Sequence, residues 1–101
     1  MRINNETIEL IKELASKYFG VDSKVFIFGS RIDDSKKGGD IDLYIETSLD
    51  LKNIVNNKLL FLVELEKNIG EQKIDLVVFN PNLMEEDLIH KIAKQEGIRI
   101  K

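Results

Sequence analysis

Apolar positions recur three and four apart between Asn5 and Phe19: Ile8, Ile11, Leu14, Ala15 and Tyr18. That spacing predicts an amphipathic helix, and Gly20 is its natural stop. Lys24-Val25-Phe26-Ile27-Phe28 is short, β-branched and aromatic, and ends at Gly29, which predicts a buried strand. Residues 31 to 39 form a polar loop closing with Gly38-Gly39, with a short helical turn from Ser30 to Asp33 as one option. From Asp40 to Glu46 the pattern becomes an alternation. Ile41, Leu43 and Ile45 point one way, while Asp40, Asp42, Tyr44 and Glu46 point the other.

Ser48 or Asp50 can cap a second helix running to about Asn68, with Leu51, Ile54, Val55, Leu59, Leu62 and Leu65 as its inner stripe. Leu60, Phe61 and Val63 widen the apolar surface beyond one stripe; this excess is either core or a face for a partner, and core is the expectation because small domains need the burial. After Gly70, Lys73 to Phe79 reads as a third strand, with Asp75 on one face beside Val77, and Asn80-Pro81 ends it. Asn82 with Glu85 is a capping-box signature for a last helix to about Gln95. Gly97 stops that helix, and Ile98-Arg99-Ile100 adds an edge strand. Helix, strand, strand, helix, strand, helix, strand predicts an α/β or α+β sandwich with a mixed sheet.

Composition narrows the picture. The chain has 101 residues and 43% hydrophobic content, which suits one compact domain over residues 1–101. A pocket needing more walls must borrow them from another chain. Charged residues reach 33% with both signs interspersed, and the formal net charge is −3. No broad electrostatic grip on duplex nucleic acid is expected from that balance. Without cysteine, disulfides and thiolate metal sites are excluded. No apolar run approaches a membrane span, and Met1-Arg2-Ile3-Asn4 opens no signal peptide, so the cytoplasm is the expected location.

The chemistry starts at Asp40 and Asp42. Side chains two apart on a strand project from the same face, so these carboxylates aim together at the start of a strand. Such a pair repels itself, and a divalent cation resolves the conflict; hard oxygen ligands suit Mg²⁺ or Mn²⁺. Asp75 puts a third carboxylate into an apolar strand, where a charge is costly unless paired or metal-bound. If the third strand lies beside the second, all three converge, an arrangement able to hold the two ions of an in-line displacement at phosphorus. Gly29-Ser30 ends the first strand. Glycine lets backbone approach a ligand closely, free N–H groups at such a turn attract phosphate, and the Ser30 hydroxyl adds a donor. Arg31, Lys36 and Lys37 bring positive charge nearby. Phosphate at this turn and metal at the aspartates would bracket one nucleoside triphosphate.

Each part alone has a plainer reading as a turn or as surface decoration. Asp33 and Asp34 read as solvated loop residues. The calcium-loop pattern is broken, since Lys37 and Tyr44 stand where acidic ligands belong, and no G-x-x-x-x-G-K phosphate loop occurs. His90, the only histidine, reads as solvated on a charged helix.

The combination is more specific. A strand, Gly29-Ser30, the loop, Asp40-Ile41-Asp42-Leu43 and the later Ile74-Asp75-Leu76-Val77 strand resemble the nucleotidyltransferase superfamily that includes the DNA polymerase beta palm. FGSR and GDIDLYI are the most telling part, and the resemblance covers nearly the whole chain. In particular it looks like the minimal nucleotidyltransferases of bacteria and archaea, although their antitoxin branch usually has one more residue between the serine and the first aspartate. The resemblance implies that Gly29, Ser30 and Arg31 meet the triphosphate and that Asp40, Asp42 and Asp75 hold metal and carry catalysis. It implies transfer of a nucleoside monophosphate, AMP from ATP, with two Mg²⁺ ions and release of pyrophosphate. The implied acceptor is a helical HEPN-domain toxin encoded next door, the chain being its antitoxin and associating with that partner or with itself. Aminoglycosides fit less well, because such transferases carry an extra domain. The alternative is a nucleotide-binding subunit, weak or inactive in catalysis, that masks its partner by contact.

Overall fold

A computed structural model describes residues 3–28, 41–70, 73–83 and 97–101. Asn4 caps the first helix, α1 (Asn5–Phe19): its side-chain oxygen accepts from the Thr7 N–H at 2.8 Å. Gly20 ends α1 at φ 105°, and a Cβ there would come within 2.8 Å of Asp22 Oδ1, so the stop needs glycine. Strand β1 (Lys24–Phe28) follows, then β2 (Ile41–Glu46), helix α2 (Leu51–Ile69), β3 (Ile74–Phe79) and β4 (Ile98–Arg99). Asp50 caps α2, accepting from the Asn53 N–H at 2.9 Å. The helix proposed from Asn82 through Glu85 to Gln95 falls outside the described residues.

The sheet is mixed, in the order β3-β2-β1-β4. β1 runs antiparallel to both β2 and β4, while β2 and β3 are parallel. Parallel neighbours need a crossover, and α2 supplies it. The architecture is α+β. One sheet face, carrying Val25, Ile27, Ile41, Leu43, Ile45, Leu76 and Val78, packs with α1 and α2 into the main core. The opposite face carries a smaller cluster centred on Tyr44 and Phe79, with Phe26, Phe28 and Val77 beside it.

Two buried polar residues tie the far ends of the strands to the helices. Thr47 donates its hydroxyl to the Phe19 carbonyl at 2.6 Å and accepts from the Leu49 N–H at 3.2 Å. Asn80 donates to the Leu49 carbonyl and accepts from the Asn82 N–H, both at 2.8 Å. With these bonds made, burial of their polar atoms carries little penalty.

The inner line of α2 differs from the one its sequence suggests. Ile54, Phe61 and Leu65 are buried, whereas Leu51, Val55 and Leu59, expected inside, are exposed, as are Leu60 and Val63. Phe61 sets the roll of the helix: its ring meets that of Phe19 at 5.4 Å, tilted by 52°. Asn57 donates to the Tyr18 carbonyl at 2.7 Å, and Lys17 pairs with Glu64 at 2.9 Å, holding the same rotation against α1. Successive residues turn by about 100°, so facing Phe61 inward swings Val55 and Leu59 away from the core.

Candidate active site

The parallel register of β2 and β3 sets Asp42 directly beside Asp75. Neighbouring strands stand about 4.8 Å apart, and residues paired in this way send their side chains to the same face. Leu43 and Leu76, one step on, both point into the helix-covered core, so Asp42 and Asp75 both point to the opposite face. The strand adjacency that the three-carboxylate reading requires is therefore present for these two. Asp40, the third carboxylate, lies outside the described residues, as do Gly29, Ser30 and Arg31. Among the described residues no group of three histidines, cysteines or carboxylates gathers.

Asp75 is exposed and Asp42 half-buried. The cost of burying a charge, expected for Asp75 from its apolar neighbours in sequence, does not arise, because the side chain faces out near the start of β3. What distinguishes the pair is mutual proximity. Two carboxylates across adjacent strands repel each other, and like charges directly opposite destabilise a sheet. Their oxygens are hard donors of the kind that Mg²⁺ or Mn²⁺ takes, so this donor set fits a divalent cation.

On the other side of Asp42 stands Phe28, its register partner and the last residue of β1. The chain continues from there into Gly29 and Ser30. The face behind the carboxylates is aromatic: Phe26 and Tyr44 have ring centroids 5.8 Å apart, Tyr44 and Phe79 6.2 Å. Tyr44 shares the face of Asp42, as the alternation along β2 predicts, and is buried there. The signal was available in the neighbouring strands. β1 and β3 are apolar at nearly every position, the pattern of strands covered on both faces. A cavity of about 150 Å³ lies at the other end of β2, lined by Asp22, Lys24, Glu46, Ser48 and Asn82 among others. Glu46 is four residues beyond Asp42, about 13 Å along the strand, so this cavity is separate from the carboxylate pair.

The family model described as Polymerase beta, Nucleotidyltransferase matches residues 9–100. No curated protein matches the chain. Among the described residues no helix is long and apolar enough to cross a membrane.

Proposed function

Because the chain belongs to the polymerase beta nucleotidyltransferase family, we propose that it moves AMP from ATP onto an acceptor hydroxyl of a helical HEPN-type partner, as the antitoxin of a two-gene module. The observation that carries the site is the Asp42–Asp75 register on adjacent parallel strands. Asp40, two residues before Asp42, completes the carboxylate set. Asp40, Asp42 and Asp75 would be the residues that hold divalent metal. Two ions, Mg²⁺ or alternatively Mn²⁺, would supply charge neutralisation at the α-phosphate and at the departing pyrophosphate.

In the reaction, the acceptor oxygen forms a bond to the α-phosphorus. The bond from that phosphorus to the oxygen bridging the β-phosphate breaks, and pyrophosphate leaves with the electron pair. The proton of the acceptor goes to Asp75, whose exposure leaves it reachable from solvent and from a docked hydroxyl. Ser30 donates to a triphosphate oxygen, Gly29 lets the backbone come close, and Arg31 adds positive charge. The domain works in the cytoplasm as one unit over residues 1–101.

Incubation of this chain with labelled ATP, Mg²⁺ and the helical protein encoded beside it tests the reading. Label transferred to the partner's protein band, and lost with Asp42→Asn, is the expected result. An intact, folded pair that never transfers label would overturn it.

A further inference from the structure

The side of α2 turned from the core carries Leu51, Val55, Leu59 and Val63, exposed at 54%, 68%, 64% and 57%. Steps of four advance about 40° around a helix, so these four make one continuous, slowly winding stripe. Lys52 and Glu66 lie seven residues before and after Leu59, a spacing that keeps all three nearly on one line of the same face. Both charged residues are exposed, and neither has an ion-pair partner among the described residues. About Leu59 the middle of the stripe is symmetric: Val55 and Val63 lie four residues to either side and the opposite charges Lys52 and Glu66 seven, while Leu51 at the end has Lys67 as its counterpart.

We propose that this face of α2 pairs with a second copy of the chain, the two helices antiparallel about a two-fold axis at Leu59. Under that symmetry Lys52 of each copy meets the other copy's Glu66, Val55 meets Val63, and Leu59 meets itself. An isologous contact needs a self-complementary patch, and this spacing supplies one. A lipid surface fits worse, because a membrane-lying helix flanks its apolar face with lysine and arginine rather than with one charge of each sign. An apolar patch of this kind covers a few hundred Å², below the ~800 Å² that a standard interface takes from each partner. The dimer is accordingly reversible and concentration-dependent. Because α1 and α2 lie on the sheet face opposite Asp42 and Asp75, pairing through α2 leaves the carboxylates open.

Sedimentation velocity of the full chain over a concentration series tests the pairing. Wild type is expected to shift from monomer to dimer as concentration rises. Leu59→Glu sets two carboxylates against each other at the axis and should hold the chain monomeric. Lys52→Glu and Glu66→Lys should each weaken dimerisation about tenfold, since the two-fold repeats every lost contact. The double variant should recover most of the wild-type affinity. Circular dichroism melts establish folding, and if Leu59→Glu fails to fold, the three charge variants decide. A wild type that stays monomeric throughout overturns the proposal, whether or not a different protein binds the stripe. So does a dimer indifferent to Leu59→Glu, or a double variant no better than its single parents.

Discussion

Asp42 and Asp75 are register partners on adjacent parallel strands and share the sheet face turned from the helices. Neither side chain belongs to the buried core, so removing one charge should leave the fold intact while depriving the proposed metal of a ligand. Asp42→Asn or Asp40→Asn is expected to slow transfer by roughly two orders of magnitude or more, about 3 kcal/mol of barrier. Single-turnover assays with labelled ATP, beside thermal melts, measure both effects; full activity in Asp42→Asn would remove the metal assignment. The turn after β1 belongs to the same scale. Ser30→Ala should weaken ATP use by about 1.5–3 kcal/mol, the worth of a hydrogen bond to a charged group. Gly29→Val should do worse by pushing backbone from the phosphates, and Arg31→Ala should fall between, as Lys36 or Lys37 partly replaces it. Calorimetry with ATP and Mg²⁺ orders the three variants. Equal affinities for wild type, Ser30→Ala and a folded Gly29→Val would show that this turn does not hold the triphosphate.

At the scale of elements, α2 is the decisive case. Phe61 is buried against Phe19 while Leu60 and Val63 on either side are exposed. Phe61→Ala should cost about 3–5 kcal/mol through transfer and cavity terms, whereas Leu60→Ala should stay within about 0.5 kcal/mol. Urea midpoints for the two variants check the roll of the helix; similar losses would contradict it. This contrast also shows where sequence reading reaches its limit. Among the described residues, element types and most boundaries were legible, because Gly20, Gly29, Gly70 and Asn80-Pro81 punctuate runs of distinct period. The facing of α2 was not legible. Its apolar residues occupy more than half the circumference, and tertiary contacts, among them those with Phe19, Tyr18 and Lys17 of α1, select which arc turns inward. Alternation within β2 fixes the face of Tyr44 but not its burial, which comes from Phe26 and Phe79 on the neighbouring strands. The pairing of Asp42 with Asp75 was anticipated only conditionally, since no local pattern says which strands will be neighbours.

For the molecule as a whole, the proposed antitoxin role poses the question whether contact with a partner or chemistry on it would provide protection. The helix layer and the carboxylate face lie on opposite sides of the sheet, so self-pairing through α2 and transfer can be disturbed separately. Asp75 is exposed and carries no packing role, so Asp75→Ala should fold, associate with a helical toxin as wild type does, and transfer nothing. If modification neutralises the toxin, cells carrying Asp75→Ala lose protection by the full margin of a missing antitoxin, although the two chains still co-purify. The measurement is growth of cells expressing the toxin with wild-type or variant antitoxin, alongside a pull-down and a transfer assay. Protection that persists in a variant proven free of transfer would mean that contact alone suffices. The carboxylates would then serve nucleotide binding in a masking subunit, and protection would have to be sought on the chain's binding surfaces rather than at Asp42 and Asp75.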